Sequence, residues 1–68
     1  MAEALGIIGG IYAKMNNTKE ALKYTLEAAQ VAKELNNLDG LSTHYQAIAE
    51  LYTRQNNYKD AYKYHLLY

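Results

Sequence analysis

The chain has 68 residues, with seven basic and seven acidic side chains, a formal charge of zero and no cysteine. That length allows one small domain or a piece of a larger protein. The balanced charge lacks the basic excess that nucleic-acid binding needs. The missing thiols exclude a disulfide framework and a thiolate zinc site, and they fit a reducing, cytoplasmic setting. No stretch approaches the roughly 20 apolar residues of a membrane span. The apolar run from Ala4 to Ile11 has the length of a signal-peptide core but is preceded by Glu3 rather than a basic start.

Proline is absent, and Ala, Leu, Lys, Glu and Gln are abundant, so propensity favours helix throughout. The first helix is predicted over 2–15, where Leu5, Ile8, Ile11, Tyr12 and Met15 recur at helical spacing as one apolar stripe. Asn16-Asn17 ends it, since Asn tolerates the left-handed conformation, and Asn17 is placed to cap the next helix with Glu20 three residues on. The second helix, 18–35, puts Ala21, Tyr24, Ala28, Val31, Ala32 and Leu35 on one face and ends near Asn36-Asn37. Asp39 is the expected cap of the third helix, 39–55, whose stripe is Leu41, Tyr45, Ile48 and Tyr52. A second corner device, Asn57 with Asp60, opens the fourth helix, 58–68. Connections this short make neighbouring helices antiparallel.

The phrase NNTKEALKYTL at 16–26 returns as NNYKDAYKYHL at 56–66, 40 positions later. Overlaying 1–28 on 41–68 without a gap pairs Ile8/Ile48, Tyr12/Tyr52, Asn16/Asn56, Asn17/Asn57, Lys19/Lys59, Ala21/Ala61, Lys23/Lys63, Tyr24/Tyr64 and Leu26/Leu66 as identities. A fixed period of this size marks a stacked repeat array. The expected units are 1–40 and 41–68, the second truncated in its second helix. Gly6, Gly9 and Gly10 each cost about 1 kcal/mol inside a helix. Close backbone contact is the expected compensation, with Gly9/Ala49 and Ala21/Ala61 as matched small positions. Gly6 and Gly10 also have the spacing of a membrane helix-pairing motif, without the apolar surroundings that motif needs.

These positions together resemble the tetratricopeptide repeat. Leu5, Ile8, Gly9, Tyr12 and Ala21 in the first copy, and Tyr45, Ile48, Ala49, Tyr52 and Ala61 in the second, stand where that family places its large, aliphatic, small, tyrosine and alanine residues. Thr25 and His65 occupy a position where the family prefers an aromatic residue. The family's terminal proline is missing, and the period is 40 rather than about 34. Similar long repeats occur in bacterial signalling proteins. The resemblance implies an all-α fold, antiparallel hairpins stacked as a short α-solenoid, and a non-catalytic protein-interaction module.

It also implies a concave groove lined by the first helix of each repeat. The groove positions are Glu3, Gly6, Gly10, Ala13 and Lys14, then Thr43, Gln46, Glu50, Thr53 and Arg54, with Gln46, Glu50, Thr53 and Arg54 expected to matter most. The Lys and Asn residues of the family's carboxylate-binding version are absent at Gly6, Gly10, Gln46 and Glu50, so capture of a C-terminal carboxylate is not expected. No cofactor, metal, nucleic acid or membrane is implied.

Catalytic chemistry has little to stand on. His65 falls where the family packs an aromatic, and His44 reads as a solvated surface residue; neither has a chelating neighbour. Gly9-Gly10 lies inside a helix and not in a phosphate-binding loop. The eight tyrosines follow core spacing and do not suggest a base-stacking platform. Two repeats are fewer than arrays usually need, no capping residue precedes the first helix, and Leu66-Leu67-Tyr68 is apolar. The expectation is a fragment of a longer bacterial signalling or regulatory array that self-associates, or exchanges its fourth helix, to cover its ends. The alternatives are an assembly element with no separate ligand and part of a peptide-sensing regulator.

Overall fold

The computed structural model describes residues 2–67; Met1 and Tyr68, and the side chains of Ala2 and Glu3, lie outside the described set. Four helices follow in order: α1 (Ala2–Lys14), α2 (Thr18–Glu34), α3 (Leu38–Arg54) and α4 (Tyr58–His65). Each packs on its neighbours in sequence, α1 on α2, α2 on α3 and α3 on α4. The result is a plate of about 30 × 25 × 13 Å. No strand occurs among the described residues. These are the stacked hairpins of a short α-solenoid.

The three corners share one design. Asn16, Asn36 and Asn56 have φ of 60°, 57° and 60°, the left-handed conformation that ends a helix. The next amide reaches back five residues: Asn17 donates to Tyr12 O, Asn37 to Ala32 O and Asn57 to Tyr52 O, each at 2.9 Å. Inside that bond, Asn16 donates to Ala13 O at 3.1 Å, Asn36 to Lys33 O at 3.1 Å and Asn56 to Thr53 O at 3.0 Å. This pair of bonds is the Schellman arrangement, and it satisfies carbonyls that would otherwise be orphaned. The second asparagine of each pair is the N-cap of the following helix. Each corner therefore closes one helix and opens the next with no residue between.

The capping differs from expectation in two ways. Asn37, not Asp39, caps α3: its Oδ1 accepts from Gly40 N at 3.1 Å, while Asp39 lies inside the first turn. The Asn17 side chain makes no cap hydrogen bond, so the expected box with Glu20 does not form. The Asn57 side chain instead donates through Nδ2 to the Asp60 carboxylate at 2.8 Å. In both corners the backbone bonds already fix the turn without a side-chain cap.

The core gathers Ala21, Leu22, Ala29, Ile48 and Leu51, with Tyr12, Ala13, Leu26, Leu41, Tyr45, Tyr52 and Tyr64 packed around them. The repeat is visible in the rings. Tyr12 stacks on Tyr24 at 5.5 Å, and 40 positions on Tyr52 stacks on Tyr64 at 5.8 Å. Such pairs contribute about 0.5–1.5 kcal/mol beyond the area they bury. Alanines 21, 28 and 32 have no exposure, which lets α2 sit tightly in the stack.

The expected α1 stripe is only partly buried. Leu5 and Tyr12 turn inward, but Ile8, Ile11 and Met15 remain 37%, 53% and 66% exposed, and Leu35 of α2 is 70% exposed. The buried α1 position is Gly9. A β-carbon there would stand 2.5 Å from Thr25 Oγ1 and 3.2 Å from Ala21 O. Thr25 itself is buried and donates to Ala21 O at 2.7 Å, so this position, where the resembled repeat prefers an aromatic, holds a small satisfied hydroxyl against a glycine.

Candidate interaction groove

A cleft of about 280 Å³ opens between α1 and α3, with Thr25 of α2 at its base. From α1 it takes Gly6, Ile7, Gly9, Gly10 and Ala13, and from α3 Thr43, His44, Ala47, Glu50, Leu51 and Arg54. Two of the glycines have a packing reason. A β-carbon on Gly9 would strike Thr25, and one on Gly6 would lie 2.9 Å from His44 Cε1. Gly10 differs: nothing stands within 4 Å of a β-carbon there, so it leaves open space in the groove wall.

Arg54 ties the two walls together. Its Nη1 donates to Ala13 O at 3.2 Å, and its Nη2 lies 3.7 Å from Glu50 Oε1. Ala13 is in the last turn of α1, where a cation complements the helix dipole. Both side chains are largely exposed, so the ion pair itself contributes about 0–1 kcal/mol. The Thr43 hydroxyl donates to Asp39 O at 3.1 Å and that of Thr53 to Ala49 O at 2.9 Å. Each retains acceptor capacity for a ligand.

Of the residues expected in the groove, Gly6, Gly10, Ala13, Thr43, Glu50 and Arg54 come together here. Lys14 is exposed at the end of α1 and does not line the cleft. The Glu3 side chain lies outside the described set. Gln46 and Thr53 turn away into a second cleft of about 380 Å³ between α3 and α4, with Ala49, Tyr58, Ala61, Tyr62 and His65; Glu50 borders both. Sequence reasoning missed Ile7 and Gly9 on α1, Thr25 on α2, and His44, Ala47 and Leu51 on α3. His44 is half-buried over Gly6 rather than solvated, and desolvation holds its pKa below the usual 6.5. The signal was Gly6 itself, since a helical glycine facing a neighbour invites a large side chain from it.

Among the described residues no group of three or more His, Cys, Asp or Glu side chains is placed to hold a metal ion, and no helix is long and apolar enough to cross a membrane.

With the hairpins and the groove described, comparison with known proteins places the chain: it belongs to the tetratricopeptide repeat family, whose model matches residues 1–66. Proteins of this family typically serve as non-catalytic scaffolds for protein–protein interaction. No curated protein and no solved structure matches the chain.

Proposed function

We propose that this chain binds a segment of a protein partner, extended or helical, along the cleft between α1 and α3. The observation that carries this reading is the union of an apolar wall with a charged rim. Gly9, Gly10, Ala47 and Leu51 offer a seat for an apolar anchor side chain, and the open volume at Gly10 leaves room for it. Glu50 and Arg54 stand at the edge, where they fix register by hydrogen bonds to the partner's backbone or charges. Gln46 and Thr53 belong to the neighbouring cleft and take no part at this one.

Panning a displayed random-peptide library, followed by titration of an enriched peptide, tests the site. Gly10→Leu fills the open volume and is expected to weaken binding about tenfold or more, with stability kept or raised. Equal binding to Gly10→Leu, or no enriched peptide, removes the groove.

The module reading is non-catalytic and cytoplasmic, supported by the family and by the absence of cysteine. The repeat length supports a place within a longer bacterial signalling or regulatory array, since helices begin every 20 residues, at 18, 38 and 58.

A further inference from the structure

The second hairpin repeats α1 and the first half of α2 at an offset of 40 residues, so the docking of α3 on the first hairpin is a template for how the matching faces of α1 and of the α3/α4 cleft are covered. Ile48 and Leu51 of α3 are 0% and 4% exposed in the core; their counterparts Ile8 and Ile11 on α1 are 37% and 53% exposed. On the receiving side, Leu22 of α2 is 7% exposed beside them in the same cluster, and its counterpart Tyr62 of α4 is 64% exposed. The outer face of α1 and the α3/α4 cleft are the two uncovered halves of an interface that the chain already forms once internally.

We infer that a second copy of this chain docks head to tail, its α1 seated in the α3/α4 cleft of the first. The side chains that differ between the repeats compensate one another across this contact. Within the chain, His44 lies over Gly6. The corresponding pair between copies is Ala4 over Gln46, a small residue on a large one in place of the reverse. Arg54 donates to the Ala13 carbonyl, beside Gly10. Its counterpart Lys14 arrives beside Thr53 and Glu50, so a cation meets a carboxylate where the internal contact has a glycine. The contact is heterologous, leaves one donor face and one acceptor face free, and adds copies in a row.

Sedimentation equilibrium from micromolar to millimolar concentration tests this. The wild-type mass is expected to rise with concentration without levelling at a dimer. Ile11→Glu disables the α1 face and Tyr62→Arg disables the α3/α4 cleft, so each variant alone is expected to stay monomeric. Their equimolar mixture is expected to form a dimer and nothing larger, because it holds one intact donor face and one intact acceptor face. Both side chains are more than half exposed, and circular dichroism checks that each variant keeps its helices. If either loses them, Ile7→Lys and Tyr58→Glu, 65% and 62% exposed, take their place. A wild-type chain that stays monomeric throughout, a single variant that still associates, or a mixture that does not dimerise overturns the proposal.

Discussion

Thr25 Oγ1 stands 2.5 Å from the point a β-carbon on Gly9 would occupy, so α1 and α2 meet at a separation that only glycine permits. The next residue, Gly10, is turned about 100° around the helix and has nothing within 4 Å of the equivalent point. The same substitution at adjacent residues is therefore expected to have opposite signs. Gly9→Ala overpacks the hairpin and should cost about 1–3 kcal/mol. Gly10→Ala removes a helix-interior glycine without a clash and should gain about 1 kcal/mol or slightly less. Urea melts of the two variants beside the wild type check this, and combining Gly9→Ala with Thr25→Ala should recover part of the loss.

The corners make a second expectation. Asn16, Asn36 and Asn56 hold φ near +60°, where an ordinary L-residue is disfavoured by about 1–2 kcal/mol. Replacement by Gly should leave stability unchanged or raise it, whereas replacement by Ala should lower it by about 1 kcal/mol at each corner. Thermal melts of the paired Gly and Ala variants decide it; Gly and Ala behaving alike at a corner would mean that the backbone there does not require this conformation.

Stability should depend on pH at both ends of the range. Burial lowers the His44 pKa below 6.5 in the folded chain. As pH falls through 6.5, unfolded chains take up the proton first, so stability is full above that value and declines below it until the folded-state pKa is reached. Tyr52 behaves in the opposite sense: burial, then Tyr64 and Asp60, raise its pKa above 10.0, so the stability it contributes is full below 10.0 and is lost as pH climbs through the folded-state value. Melts at stepped pH should show both declines, and His44→Gln should remove the acid-side contribution of this residue.

Arg54 offers a test that separates binding from stability. Its bond to Ala13 O and its contact with Glu50 are solvent-exposed, so Arg54→Gln should cost less than about 1 kcal/mol. It should nonetheless weaken a groove-bound peptide, because it removes a charge from the rim. A calorimetric titration alongside a urea melt distinguishes the two effects; unchanged affinity would place the peptide elsewhere.

Much of this architecture is written locally, and that is why it was legible. The Asn-Asn pairs carry a backbone preference that needs no distant partner, so the corners fall where the sequence puts them. The Tyr12/Tyr24 and Tyr52/Tyr64 stacks follow from aromatic residues on facing helices at a common offset. Less legible was the fate of the first stripe. Ile8, Ile11 and Met15 have helical spacing, but spacing records the surface a helix offers, not whether a partner covers it. Family position groups Gln46, Thr53, Glu50 and Arg54, yet Gln46 and Thr53 line the α3/α4 cleft, Arg54 the α1/α3 cleft and Glu50 the ridge between, and only the packing of α4 separates them. The capping of α3 was a contest between Asn37 and Asp39, and the left-handed turn at Asn36 decided it by fixing where the helix could begin.

The corners return every 20 residues, yet alternate helices are unlike: α1 and α3 line the groove, while α2 buries a ladder of alanines. A gene that gained one extra 20-residue module would keep every turn intact and still deliver an alanine ladder to the groove side, out of phase with its neighbours. Growth by tandem duplication is thus quantised in double steps, and half-steps, though locally well formed, would be weeded out as misfolded.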